Sequence, residues 1–234
     1  MYIMKTYEHL FFDLDRTLWD FNANSRLELN NLWTEFKLHQ KGISLPDQFI
    51  KIYEKVNSEC WAKYRKDEIT KEELRGKRFN DTLSYFGIED ANLAEEIGAT
   101  YIQNSPNRTI LVEGTKEILS YLKEKYHLHI ITNGFKEVQH LKLNNCGLTP
   151  FFEEIITSEE VGVMKPNAQV FDYSLNQANA KKEESIYVGD DFKVDIEGAT
   201  NAGLHTIFYN PNKKQHSLAI LGDVSELHEI KNIL

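Results

Sequence analysis

The chain has 234 residues, 41% of them hydrophobic, and its 27 Lys and Arg against 36 Asp and Glu give a net charge of -9. This length suits one large domain or one domain with an insertion, and the apolar content excludes a disordered chain. No run approaches the roughly 20 apolar residues of a membrane span, so we expect a cytoplasmic protein without a membrane partner. The acidic balance argues against a nucleic-acid polymer as partner.

Short apolar runs without alternation recur along the chain and indicate strands that are covered on both faces, as in a parallel sheet. They are His9–Phe12, 128–132, Glu154–Thr157, Ser185–Gly189 and His205–Tyr209. Amphipathic segments of helical period separate them, at 116–125, 137–145, 168–178 and 194–202. Strands that alternate with helices of this length indicate an α/β fold with a Rossmann-like, doubly wound parallel sheet.

Between residues 20 and 105 the pattern changes to helices alone. Apolar stripes of helical spacing run through 29–36, 49–60 and 93–101, and Thr70 with Glu73 forms a capping-box signature before a further helix. We therefore predict a four-helix insertion. The predicted boundaries are 1–18 and 107–234 for the α/β core and 19–106 for the inserted helices.

Polar residues stand where three of the predicted strands end. Asp13 and Asp15 lie two apart after the first strand, so they project to the same side, and Thr17 follows two residues later. The second strand ends with Thr132, Asn133 and Gly134, and the fourth with Asp190 and Asp191, followed by Asp195. Because ligands bind outside the carboxyl ends of the strands in open α/β sheets, these clusters are expected to converge on one site.

Clustered carboxylates repel one another unless a cation neutralises them, and oxygen ligands in this number select Mg²⁺. The ion takes one or two carboxylates and substrate phosphate oxygens, which leaves an aspartate free for chemistry. Such a carboxylate can attack phosphorus and form an aspartyl-phosphate, and a second carboxyl two residues away is placed to protonate the leaving oxygen and later deprotonate water. The sequence therefore predicts a magnesium-dependent phosphoryl-transfer site.

The other parts of such a site are also present. Lys165 lies at the start of a predicted helix, where its charge can neutralise phosphoryl oxygens. Thr132 and the backbone amides of Asn133 and Gly134 form a predicted oxyanion cradle at a strand-to-helix turn. Asp191 and Asp195 are expected to orient metal-bound waters and the lysine, although part of the role of Asp191 is that of a helix N-terminal acid.

The chain resembles the haloacid dehalogenase-like hydrolase superfamily in four motifs that occur in order: DLDRTL at 13–18, TNG at 132–134, KP at 165–166 and GDD at 189–191 with Asp195. The resemblance covers essentially the whole chain, and it implies that the inserted helices form the cap of that superfamily. It also implies that Asp13 is the nucleophile and Asp15 the acid/base group. Thr132 is implied as the phosphate binder, Lys165 as the charge stabiliser and Asp190 as a metal ligand. Asp13 and the backbone carbonyl of Asp15 are implied as further Mg²⁺ ligands.

Asp15 distinguishes two chemistries within the superfamily. Dehalogenating members lack this second carboxylate, since a halide leaves without a proton, so Asp15 indicates phosphoester hydrolysis. The stretches at 18–21, 70–79 and 158–162 further resemble bacterial house-cleaning pyrimidine 5'-nucleotidases. We expect a phosphomonoesterase for a small phosphorylated metabolite, favouring nucleoside 5'-monophosphates. A sugar-phosphate phosphatase or phosphomutase is the alternative, and a non-catalytic phosphate-binding protein is the second.

Some residues near the motifs have two interpretations. Trp19 and Phe21 either stack on a nucleobase or pack the hinge between core and helices. Arg78 either meets a polar group of the substrate or lies on a solvated helix face. Thr17 is expected to hold its loop through hydrogen bonds. The protein is expected to be a monomer or a weak homodimer.

Overall fold

The computed structural model describes residues 7–234, and the chain divides into two compact units. The core unit consists of the chain up to Phe21 together with Thr109–Leu234, and the helical unit is Asn22–Arg108. Both boundaries lie slightly further along the chain than the predicted ones. The reason is that the segment after the first motif is bonded to the core unit: the Asp20 N–H donates to the Ile110 carbonyl at 3.1 Å.

The core unit is built on one parallel sheet. Its strands are β1 His9–Phe12, β2 His127–Thr132, β3 Glu154–Thr157, β4 Ser185–Gly189, β5 His205–Tyr209 and β6 Gly222–Val224. They lie in the order β3-β2-β1-β4-β5-β6. The predicted doubly wound α/β fold is confirmed, although β6 was not predicted. Since the chain order reverses between β1 and β4, the carboxyl ends of these two strands form the place where such sheets bind ligands.

The helical unit consists, over residues 22–108, mainly of helices that share an apolar core. Their bounds are α1 Phe21–Glu35, α2 Pro46–Tyr64, α3 Lys71–Tyr85 and α4 Ala91–Asn104. The predicted capping box is present at the start of α3, where the Thr70 hydroxyl accepts from the Glu73 N–H at 3.1 Å and the Glu73 carboxylate accepts from the Thr70 N–H at 2.7 Å. Fully buried residues from the apolar stripes, such as Leu29, Phe49 and Ile97, form the core.

The helices of the core unit cover both faces of the sheet. They are α5 Thr115–Lys123, α6 Lys136–Asn145, α7 Ser158–Val161, α8 Ala168–Gln177 and α9 Gly198–Asn201. Since strand side chains alternate between faces, Phe12 belongs to the same buried cluster as Leu119 of α5, while Phe11 belongs to that of Phe171 of α8. Each fully buried Phe or Leu contributes about 1.5–3 kcal/mol. Among the described residues, no helix is both long and apolar enough to cross a membrane.

The segment before α9 differs from the regular helix predicted at 194–202. Phe192–Glu197 form a π-helical turn, in which the Asp191 carbonyl accepts from the N–H groups of Asp195 and Ile196 at 2.8 and 3.3 Å. The Asp191 side chain caps this turn by accepting from two further backbone N–H groups. Widened turns of this kind are frequent at functional sites, and here the turn carries Asp195.

Candidate active site

The loop after β1 fixes the two aspartates of the first motif. The Asp13 N–H donates to the Val188 carbonyl of β4 at 2.9 Å, so the loop starts beside the end of that strand. The chain then turns sharply, because the N–H groups of Leu18 and Trp19 both donate to the Leu14 carbonyl. Arg16 has a φ of 70° within this turn, a left-handed conformation that is unfavourable for a side chain with a Cβ. The hydrogen bond from its N–H to the Trp19 carbonyl, 2.8 Å long, holds it there.

Lys165 is at the centre of the predicted site. Its Nζ lies 2.7 Å from Oδ1 of Asp13 and 2.7 Å from Oδ1 of Asp195. It also lies 2.6 Å from the Tyr187 hydroxyl and 2.9 Å from the Ile131 carbonyl, and its side chain is 1% exposed. Burial alone would lower the pKa of Lys165, but the two carboxylates outweigh burial and raise this pKa. The lysine is therefore a buried, charged group held against the predicted nucleophile.

Asn133 holds the backbone that carries Lys165. Its side-chain amide donates to the Lys165 carbonyl at 3.0 Å and accepts from the Lys165 N–H at 2.8 Å. These two hydrogen bonds join the end of β2 to the loop that contains Lys165. The Asn133 side chain thus fixes the backbone of Lys165, the predicted charge stabiliser, and a contact of the Asn133 backbone with phosphate stays a prediction.

Asp195 is packed against the end of β4. Its Oδ1 accepts from Lys165 and from the Tyr187 hydroxyl, the latter at 3.1 Å, and its Oδ2 accepts from the Asp191 N–H at 3.1 Å. A Cβ on Gly189 would lie 2.6 Å from the Asp195 side chain, so only glycine allows this approach. Asp195 is thus in contact with the lysine, and its predicted role of orienting Lys165 stays a prediction.

The acidic residues form a group that fits a divalent cation. Asp13, Asp190 and Asp195 each offer one carboxylate oxygen, and these atoms lie within 4.8 Å of one another. Burial raises the pKa values of Asp13 and Asp190, and repulsion between the carboxylates raises both further. Both carboxylate oxygens of Asp195 accept from close donors, whereas Lys165 and Arg16 each hold only one oxygen of Asp13 and of Asp190. Asp13 and Asp190 therefore fit best as ligands, and an all-oxygen set suits Mg²⁺. A contribution from the Asp15 backbone carbonyl stays a prediction.

Arg16 is a site residue that the sequence reasoning did not identify. Its Nε lies 2.9 Å from Oδ2 of Asp190, which leaves the other carboxylate oxygen of Asp190 for a cation. The guanidinium carbon lies 5.6 Å from the centre of the Phe21 ring. Arg16 thus neutralises part of the acidic group from the same turn that carries Asp13.

Thr132 is arranged to donate a hydrogen bond. Its Oγ1 accepts from the Gly134 N–H at 3.1 Å and from Nε2 of Gln139 at 2.7 Å, which leaves the hydroxyl hydrogen for a further acceptor. A phosphoryl oxygen is such an acceptor, in keeping with the predicted role of Thr132. The Gly134 amide is used within this turn, so its contact with phosphate stays a prediction. A Cβ on Gly134 would lie 1.9 Å from Gln139 Nε2, so glycine is required for Gln139 to approach.

Asp15, the predicted acid/base, is bound by two residues of α6 that were not predicted. Lys142 Nζ lies 2.6 Å from Oδ1 of Asp15, and Gln139 Nε2 lies 2.9 Å from its Oδ2. The signal for both was present in the sequence, since Gln139 and Lys142 share a helical stripe with the buried Phe135 and Leu143. Polar residues within an apolar stripe were overlooked. Tyr187 was missed because it lies in a strand and reads as core.

The structure gives the positions of the other predicted residues, while their contacts with a substrate stay predictions. Trp19 is fully buried in the core unit, and Phe21 lies at its edge with the two ring centres 6.2 Å apart. Arg78 is 7% exposed, so the alternative of a solvated helix face is wrong for it. It donates to Tyr53 and Asn57 within the helical unit. The Thr17 hydroxyl lies 3.5 Å from Oδ2 of Asp13, at the limit of a hydrogen bond.

Residues 10–209 match the family model of the haloacid dehalogenase-like hydrolases. The chain belongs to this family. Over 97% of its length it is 31% identical to the pyrimidine 5'-nucleotidase YjjG of Escherichia coli, covering 98% of that protein. It is also 31% identical to the glyceraldehyde 3-phosphate phosphatase of Methanothermobacter thermautotrophicus, over 94% of this chain and 98% of that one.

A crystal structure of the magnesium-bound HAD-hydrolase YfnB of Bacillus subtilis is similar over 98% of this chain and 99% of that one, with a TM-score of 0.87 and 29% identity. Solved dehalogenases at 15% identity share the fold. The predicted superfamily is thereby confirmed. The predicted enzyme class, a phosphoric monoester hydrolase, agrees with the names of the curated relatives.

Proposed function

We propose that this protein is a Mg²⁺-dependent phosphomonoesterase that acts on nucleoside 5'-monophosphates through an aspartyl-phosphate at Asp13. The observation that carries the proposal is that Asp13 contacts Lys165 at 2.7 Å and lies with Asp190 in one group of carboxylates. A carboxylate beside a buried lysine and a cation-binding group is suited to attack a phosphorus whose charge is neutralised.

The reaction has two displacements. In the first, a carboxylate oxygen of Asp13 bonds to phosphorus, the bond from phosphorus to the leaving oxygen breaks, and Asp15 gives its proton to that oxygen. In the second, water attacks the phosphorus, its proton passes to Asp15, and inorganic phosphate leaves with Asp13 restored. In this proposal Lys165 and Thr132 bind the phosphoryl oxygens. Asp13 and Asp190 would hold the metal, which when bound neutralises phosphoryl charge.

Nucleotides are the favoured substrates for two reasons. One is the similarity to YjjG over nearly the whole chain, and the other is the resemblance of the stretches at 18–21, 70–79 and 158–162 to pyrimidine 5'-nucleotidases. Small sugar phosphates are the second candidate, because the glyceraldehyde 3-phosphate phosphatase is equally identical to this chain. The two classes differ in the leaving alcohol and share the chemistry at phosphorus.

A panel of phosphate esters tests both levels of the proposal. Nucleoside 5'-monophosphates, triose phosphates and hexose phosphates are incubated with the wild type and Mg²⁺, and free phosphate and isomer formation are measured. We expect phosphate release with the highest kcat/KM for a nucleoside 5'-monophosphate. Asp13→Asn should abolish release while retaining the circular dichroism of the wild type. Isomers without phosphate release would indicate a mutase, and no release from any ester would overturn the enzyme assignment.

A further inference from the structure

We propose that Gln139 and Lys142 of α6 are positioning residues, which hold the Asp15 carboxylate in the orientation that proton transfer requires. The proposal rests on the phosphatase function above and adds a residue-level account of its acid/base group. It is carried by the contacts of both Asp15 oxygens, by the burial of the two α6 side chains and by the shared bond of Gln139 to Thr132.

Lys142 fixes one oxygen of Asp15. Its Nζ lies 2.6 Å from Oδ1, and its side chain is 5% exposed. The Trp19 ring centre lies 4.1 Å from the same Nζ, so the lysine sits between a carboxylate and an aromatic face. A buried ammonium without a charge partner is costly, and a cation over an indole gains further attraction. The side chain therefore has little freedom to leave Asp15.

Gln139 connects Asp15 to the predicted phosphate binder. One hydrogen of its amide is donated to Oδ2 of Asp15 at 2.9 Å, and the other to Oγ1 of Thr132 at 2.7 Å. The amide nitrogen, and not the amide oxygen, is the atom that faces both Asp15 and Thr132. The Gln139 side chain therefore fixes the positions of Asp15 and Thr132 relative to each other. The other amide atom, Oε1 of Gln139, is buried and has no hydrogen-bond partner among residues 7–234.

The two bonds to Asp15 differ in strength, which assigns a role to each oxygen. The bond from Lys142 is charge-assisted, whereas the bond from the Gln139 amide has a neutral donor and is weaker. As the acid, Asp15 carries a proton on one oxygen and gives it to the leaving oxygen; as the base, it takes a proton from water on the same oxygen, which must therefore release its hydrogen bond from the protein. Oδ2 is the oxygen that exchanges, while Lys142 keeps the carboxylate from rotating about its bond to Cβ.

The dependence on the leaving group tests this role. A nucleoside alkoxide needs a proton to leave, whereas p-nitrophenolate is a stable anion and leaves without one. Single-turnover rates with enzyme in excess measure the first displacement for a nucleoside 5'-monophosphate and for p-nitrophenyl phosphate. We expect Lys142→Met to lower the first rate by about 100-fold and the second by less than about threefold. Gln139→Met should show the same selectivity with a smaller loss.

The double variant Asp15→Asn/Lys142→Met shows whether Lys142 acts through Asp15. It should be no slower with the nucleotide than Asp15→Asn alone, since a positioning residue has no effect once its target is gone. The control is Lys136→Met, at the start of the same helix, which removes a half-exposed lysine bonded to Glu160 and should retain both rates. All variants are checked by circular dichroism, and Gln139→Met serves where Lys142→Met does not fold.

The outcomes separate this proposal from the proposed function. Equal losses with both esters, or additive losses in the double variant, would overturn the positioning role while the wild type remains a phosphatase. A wild type that hydrolyses neither ester would overturn the function itself. Selective loss with the nucleotide and no additivity supports both.

Discussion

Lys165 shows how much of the site depends on one buried charge. Its Nζ separates Asp13 from Asp195, and burial already raises the pKa of Asp13 with this lysine present. Lys165→Met removes the cation and leaves two buried carboxylates facing each other. Because breaking a buried ion pair strands a charge, we expect a loss of about 3–5 kcal/mol in the free energy of unfolding, measured by urea denaturation without metal.

Two further variants control this result. Lys165→Met/Asp195→Asn should recover part of the loss, since the stranded charge is removed with its partner. Lys136→Met, which breaks a half-exposed ion pair with Glu160, should change the unfolding free energy by less than about 1 kcal/mol. A Lys165→Met protein as stable as the wild type would contradict this expectation.

The residues that could be predicted from the sequence are those that occur at strand ends in motif order. Asp13, Lys165 and Asp195 were predicted as one site, and their side chains do meet. Lys142 and Tyr187 were not, although both bind site residues. A lysine on a helix has the same appearance in a sequence whether it is solvated or buried, and a tyrosine in a buried strand reads as core. Their roles depend on tertiary contacts that local patterns do not contain.

At the scale of single elements, the start of α3 is specified by a local motif. The Thr70 hydroxyl and the Glu73 carboxylate satisfy each other's backbone N–H groups, which otherwise lack partners at a helix start. Thr70→Ala removes one of these bonds, so we expect it to destabilise the helical unit by about 1 kcal/mol. Hydrogen exchange of the first-turn amides of α3, with thermal unfolding, measures the effect.

Thr100→Ala is the matched control in the same unit. The Thr100 hydroxyl donates to the Glu96 carbonyl within α4, a bond that competes with the helix rather than completing it. Alanine is the better helix former there, so stability should stay equal or rise slightly. If both variants lost the same stability, the capping hydrogen bond would make no net contribution to the stability of the helical unit.

The elements that were predicted correctly have strong local signals, and those that were missed lack one. The apolar runs of β1 and β4 are uninterrupted, whereas β6 is only Gly222–Val224 and has a single buried residue, Val224. The turn Phe192–Glu197 has helical periodicity, and nothing local distinguishes π from α hydrogen bonding. Within this turn Asp195 bonds to Lys165, 30 residues away in the chain, and to Tyr187, eight residues away, and a local pattern contains neither contact.

At the scale of the whole molecule, a buried histidine in the sheet makes stability depend on pH. Burial and the neighbouring His9 lower the pKa of His129 to about 4, with His127 adding to this and Glu153 opposing it. The unfolded value is about 6.5, so the folded state disfavours the charged ring. The stability that the folded state gains from a neutral His129 is fully present above pH 6.5. It is lost as the pH falls towards 4, which lowers the free energy of unfolding by about 3 kcal/mol at most.

Urea unfolding at several pH values measures this dependence. His129→Phe should flatten the slope of the unfolding free energy between pH 6.5 and 4, whatever its effect at neutral pH. His228→Gln, which changes an exposed histidine, should keep the slope of the wild type. The interpretation fails if the His129→Phe protein keeps the full slope.

Magnesium should stabilise the molecule although the overall charge is only -9 and spread over the chain. The relevant charge is local, since Asp190 repels Asp13 within a group of carboxylates that a cation would neutralise. An ion that binds only the folded state at 100 times its Kd adds about 2.7 kcal/mol to the unfolding free energy. Thermal unfolding with Mg²⁺ and with EDTA should show this difference. Asp190→Asn should remove it and Asp172→Asn, at a half-exposed ion pair with Lys182, should not. If Mg²⁺ stabilised both variants equally, the ion would bind elsewhere, because Asp190 belongs to the group of carboxylates and Asp172 does not.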